Sequence, residues 1–169
     1  LIDGAAEAAD ARFVSVACAP GGPVRTGLRP QIEMPRFLGL KSPKEFAAIN
    51  LMNIDTLDRS SIEAVENFAR EGGGVVMFLS ERTPARFVNE SLYRNGEGFF
   101  PLPLRGPSDL YVDRLERAAD VNVENHFIFR VFADARNPFL DGVVVHRYYA
   151  APEGWTPPAD SSVSVLARL

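Results

Sequence analysis

The chain has little of what most small-enzyme chemistries need. One cysteine, Cys18, stands alone, so no disulfide within the chain is possible and the fold does not lean on oxidation. The two histidines, His126 and His146, belong to no H-x-x-x-H pair and no Cys/His cluster, which leaves a zinc site without support. No apolar run reaches the ~20 residues that a membrane span needs, and no charged-then-apolar leader opens the chain. Basic residues are no more plentiful than acidic ones: the net charge is -4, which argues against nucleic acid as a partner, because phosphate binding needs a basic surface. The chain does not begin with Met, and we expect a fragment of a longer protein.

What is present fits one globular domain over residues 1–169. Apolar residues make up 46% and charged residues 24%, values of a chain that buries a core. Leu1 to Gly4 has the pattern of a short strand. Ala5 to Ala19 predicts a helix, with Ala6, Ala9, Phe13, Val16 and Ala17 as its apolar stripe; a strand around Val14 and Val16 is the alternative. Residues 20–43 hold five prolines and four glycines and form a long connection, with room for one short strand at Gln31 to Met34. Phe46 to Asn53 then predicts a strand covered on both faces.

Asp58 to Glu81 is the clearest segment. Asp58 is a good N-cap, with Ser60 and Glu63 offering a capping box as the alternative. Ile62, Val65, Phe68 and Ala69 make one apolar stripe. Gly72, Gly73 and Gly74 end the helix, because glycine accepts a left-handed conformation at low cost. Val75 to Leu79 follows as a second buried strand. Strand, helix, glycine turn and strand make a right-handed unit on a parallel sheet. Thr83-Pro84 opens a further helix running to about Tyr93, Asn95 to Gly98 is a turn, and Phe99 to Leu104 is an extended, proline-broken loop. Ser108 to Asp120 carries Asp109, Asp113, Glu116 and Asp120 among Arg114 and Arg117, the spacing of a solvated helix face. Phe127 to Phe132 predicts core. Trp155, flanked by prolines, predicts a surface loop. Val143 to Tyr149 and Ser162 to Leu169 predict late strands that extend the parallel sheet in antiparallel fashion.

Neither nucleophile candidate stands in a nucleophile elbow. That turn needs small residues two places before and two after the nucleophile. Cys18 has Val16 and Pro20 there, and Ser80 has Phe78 and Arg82. Cys18 therefore reads as a half-buried helix cysteine and Ser80 as a polar strand exit. His126 could serve as a base only beside a nucleophile. The three glycines follow a helix, whereas a phosphate cradle precedes one, and Gly96-Glu97-Gly98 is a lone G-x-G. No catalytic residue and no metal ligand is expected, and no cofactor is called for. Open parallel sheets place ligand contacts at the carboxyl ends of their strands. The candidate ligand-binding residues are accordingly Asn53, Asp55, Ser80, Glu81 and Arg82.

Asn53 to Leu57, Gly72 to Leu79, Leu92 to Leu104, His126 to Phe129, Asn137 to Leu140 and Val144 to Tyr149 together resemble a known family. It is the class I glutamine amidotransferase-like domain of bacterial membrane proteins that also carry a von Willebrand factor A domain. The resemblance implies an α/β fold: a flavodoxin-like three-layer sandwich around a mainly parallel sheet. It implies a non-catalytic interaction or scaffold module, extracytoplasmic or membrane-tethered in its parent, whose partners are proteins or neighbouring domains of the same chain. This fragment would itself be soluble and would not insert into a membrane. The alternatives are a small-molecule or carbohydrate-binding domain using the strand-end pocket, and a divergent hydrolase using Ser80 or Cys18 with His126.

Overall fold

The computed structural model describes residues 1–111, 119–132 and 139–169. These fall into two compact units, Leu1–Leu104 and Arg105–Leu169. The fold is mixed α/β, with a three-stranded parallel sheet in the first unit and two small antiparallel sheets in the second.

In the first unit the strands are β1 (Ile2–Asp3), β2 (Ala48–Met52) and β3 (Gly74–Phe78), in the order β1-β2-β3. Register pairs Ile2 with Leu51 and Asp3 with Met52, then Leu51 with Met77 and Met52 with Phe78. Because side chains alternate across a strand, Ile2, Ile49, Leu51, Val75 and Met77 share one face. Helix α3 (Arg59–Arg70) packs there through Val65 and Phe68. Asp58 caps it as expected, accepting the Ser61 N–H at 2.7 Å. Gly72 ends it at φ +96, and a side chain on Gly73 would overlap the Phe68 ring. The expected stripe is therefore right at Val65 and Phe68, with Ile62 half-buried beside them.

The 20–43 connection supplies more core than its composition suggests. Glu33 bridges to β1, its N–H donating to Leu1 at 2.8 Å while its carbonyl accepts from Asp3 at 3.1 Å. A short helix, α2 (Phe37–Leu40), buries Phe37 and Leu38 against α3. Beyond β3, Ala85–Phe87 (α4) continues as a π-helical stretch over Val88–Tyr93, so the helix runs to the predicted end. Pro84 is its cap and not its first residue.

Three expectations about burial are corrected. Helix α1 (Ala9–Cys18) forms, but it turns Ala11 inward with Val14, Ser15 and Cys18 half-buried, and leaves Phe13 and Val16 in solvent. The i, i+3, i+4, i+7 face it buries holds small side chains, which allow close approach to the sheet. The stretch Phe46 to Asn53 is not covered throughout, since Ala48 is exposed. β3 is not a buried strand but a half-exposed edge strand: Val76 and Phe78 are 43% and 46% exposed, because no described element covers that face beside α1.

In the second unit, β4 (Gly106–Asp109) pairs antiparallel with β6 (Arg147–Ala150), and β5 (Asn122–Val123) with β7 (Ala167–Arg168). The late strands are antiparallel, as expected, but pair within this unit and not with the parallel sheet. Val143 and Val144, expected in a strand, lie exposed ahead of β6. The expected helix over Ser108 to Asp120 is corrected at its start, where Ser108 and Asp109 lie in β4 and Asp109 accepts from Arg147 at 2.9 Å. Asp113, Arg114, Glu116 and Arg117 lie outside the described residues. Phe127–Phe132 is a 3-10 helix with Phe127, Ile128 and Val131 more than half exposed, so it is not core. Alternate large apolar residues cannot all turn inward on a three-residue turn. Trp155 sits in the expected turn, its N–H donating to Pro152 at 3.0 Å.

Candidate functional site

The site is built at the carboxyl ends of the parallel strands, on the face that carries α1. Asp3 ends β1 and is 1% exposed. Its Oδ1 accepts the Ala5 N–H at 2.9 Å and its Oδ2 the Ala11 N–H at 3.1 Å. Ala8 cannot cap α1 with its own side chain. Asp3 does so from the neighbouring strand, placing a carboxylate where the first-turn N–H groups and the helix dipole favour negative charge.

Asn53 follows β2 directly. Its φ of 52 is a left-handed conformation that Asn tolerates better than most residues. It is 7% exposed. Its Nδ2 donates to Asp3 at 3.0 Å and to Asp10, in the first turn of α1, at 2.8 Å. One amide thus ties β1, β2 and α1 together and stands between two carboxylates. Gly4 has to be glycine for the same junction, because a side chain there would overlap the Asn53 carbonyl.

Beside this junction opens a pocket of about 300 Å³, floored by Met52 and Asn53 and walled by Asp10, Phe13 and Val14 of α1 and by Phe78, Leu79 and Ser80 after β3. Neither the 20–43 connection nor Phe99 and Phe100 contributes to its described lining. Of the five expected site residues, the structure brings Asn53 and Ser80 into this pocket. Asp55 and Arg82 form an ion pair with each other at 3.8 Å, both about half-exposed, and Glu81 is exposed. These three are not part of the described lining. Asp3, Asp10, Phe13 and Phe78 are not among the site residues expected from sequence; the local signal for Asp3 is an Asp closing an apolar strand ahead of a helix.

The other residues considered as nucleophile or base make the following contacts. Ser80 forms a turn, accepting the Arg82 N–H on its hydroxyl at 3.3 Å and the Thr83 N–H on its carbonyl at 2.8 Å. Cys18 is the last residue of α1, half-buried, with its carbonyl bonded by the Thr26 hydroxyl at 2.5 Å. His126 packs its ring on Phe127 at 4.4 Å and accepts weakly from the Ile128 N–H at 3.4 Å. Both histidines belong to 105–169, whereas Cys18 and Ser80 belong to 1–104. Among the described residues no group of three His, Cys, Asp or Glu side chains is placed to hold a metal ion, and no helix is long and apolar enough to cross a membrane. A second hollow of about 350 Å³ lies between α2 and α3, and the Lys44–Glu71 pair at 2.9 Å is part of its lining. Comparison of the chain with protein-family models, with curated proteins and with solved structures gives no match.

Proposed function

We propose that the chain is a non-catalytic interaction module, on a flavodoxin-like, class I glutamine amidotransferase-like plan, within a larger membrane-anchored bacterial protein. The observation that carries the interaction reading is the apolar face of the sheet that, among the described residues, α1 covers only in part. Val76 and Phe78 of β3 stand open on it, and Phe13 and Val16 of α1 are exposed on the helix that shares that face. Parallel sheets are ordinarily covered on both faces, so a half-exposed strand with large apolar side chains supports a contact here. The occupant would be a neighbouring domain of the same chain or a protein partner. The membrane-anchored context and the family plan rest on the packing and turn motifs quoted above. A photoreactive phenylalanine analogue in place of Phe78, in the full-length parent, is expected to give one dominant crosslink to a neighbouring domain or partner. Its reaction with water alone would overturn the reading.

A second reading, a small-molecule-binding domain, is favoured by one specific observation: the pocket at the strand ends is open, with the buried Asn53 at its floor. The hydrolase alternative has less behind it, because neither Cys18 nor Ser80 stands in a glycine-flanked elbow.

A further inference from the structure

We infer that the strand-end pocket takes a small organic ammonium ion, a protonated amine on an aromatic or compact aliphatic body. This deepens the small-molecule reading and rests on it.

The chemistry of the floor decides the class. Asn53 has two amide protons, and both are used, one on Asp3 and one on Asp10. With carboxylates on that side the amide cannot flip, since its oxygen would then face theirs. Its Oδ1 therefore points away from them, and among the described residues no hydrogen-bond donor reaches it. A side chain 7% exposed thus presents an unused acceptor at a cavity. That oxygen keeps its acceptor capacity and Asn53 lines the cavity, so a ligand donor fits there.

Charge points the same way. Asp3 spends its oxygens on Ala5, Ala11 and Asn53, whereas Asp10 accepts only the Asn53 proton and keeps acceptor capacity at the pocket wall. No Lys or Arg is among the described lining residues, and Arg82 is held by Asp55. An anion would meet only acceptors and a carboxylate. A neutral polyol could donate, but only through the weaker neutral hydrogen bonds. An ammonium group donates to Asp10 and Asn53 at once and supplies the missing positive charge. Phe13 and Phe78 line the pocket and are exposed, which supplies aromatic surface that an apolar body can cover and that attracts a cation standing over a ring. A volume of about 300 Å³ suits one small molecule.

The test is a titration of the 169-residue chain, followed by backbone amide shifts, with 2-phenylethylammonium, phenylacetate and glucose at equal ionic strength. Saturable shifts at Asp10, Phe13, Asn53 and Phe78 are expected with 2-phenylethylammonium alone. Asp10→Asn keeps size at an exposed position, and it is expected to weaken that binding about tenfold, the loss of one charge-assisted bond. Phe13→Ala, also at an exposed position, is expected to weaken it severalfold. Equal shifts with phenylacetate or glucose would overturn the ammonium class and leave the pocket a ligand site. Unchanged affinity in Asp10→Asn would likewise overturn it. Silence from all three probes would overturn both this inference and the small-molecule reading.

Discussion

Asp58 shows how one side chain sets both an element's start and a pH dependence. Its carboxyl is held below the ordinary value of 3.8, first by the Ser61 N–H and then by the Ser60 hydroxyl. A carboxyl whose folded pKa is depressed contributes stability above its unfolded value, and that contribution is lost as pH falls through the folded value. Asp58→Ala is therefore expected to lower the melting temperature by a few degrees at pH 7. The gap to the parent should close in thermal melts taken progressively below pH 3.8. Gly73 is a residue-scale prediction of another kind. A methyl there would overlap the ring of Phe68, which is 5% exposed and has little room to give. Gly73→Ala should cost roughly 1–3 kcal/mol by overpacking, measured by urea denaturation. At Gly142, where a methyl meets nothing within 4 Å and φ is not positive, the same substitution should be near neutral.

At the scale of elements, α1 separates what was legible from what was not. The alanine-rich periodicity announces a helix, and the helix is there. Its burial face was misjudged because Phe13 and Val16 are the more apolar residues, yet the buried side is Ala11, with Val14, Ser15 and Cys18 next to it. What orients the helix is the Asp3 bond to the Ala11 N–H and the Asn53 bridge to Asp10. The bridge spans 43 residues of sequence and the Asn53–Asp3 bond spans 50, so no local pattern could report them. The same reason explains the candidate site: Asn53 and Ser80 were legible as polar residues at strand exits, whereas Asp3 and Asp10 take their meaning only from strand order. The α3 segment was legible in its cap, its Val65 and Phe68 stripe and its glycine stop, which are local signals; Glu66, expected to face water, is instead largely buried in a pair with Arg94 at 2.6 Å, a contact remote in sequence. Ala11→Leu is thus expected to cost about 1–3 kcal/mol, since a fully buried alanine leaves no room beneath the helix. Phe13→Ala, at a side chain 77% exposed, should stay within about 0.5 kcal/mol. Urea melts of the two variants giving the reverse order would show that α1 packs on its Phe13 side after all.

For the whole molecule, the distribution of the core sets the expected folding behaviour. Every buried apolar side chain among the described residues lies between Ile2 and Leu104. Within that unit the sheet, α2 and α3 share one cluster, from Ile2 through Phe37 and Leu51 to Phe68. Arg105–Leu169 has two-stranded sheets, and one buried carboxylate, Asp120, accepting the Val145 N–H at 2.7 Å. Two-stranded sheets without a packed apolar face are marginal in water, and among the described residues of this unit no apolar side chain is buried. A Leu1–Leu104 fragment is therefore expected to keep a cooperative thermal transition by far-ultraviolet circular dichroism. An Arg105–Leu169 fragment should melt without a sigmoidal step. Trp155, the only tryptophan of the chain and half-buried, reports on that second fragment directly, and its emission in the isolated fragment should lie near the value it takes in concentrated urea. A sharp transition in Arg105–Leu169, with Trp155 emission well to the blue of the urea value, would mean that this unit holds a core of its own, and the partition of stability argued from burial would be wrong.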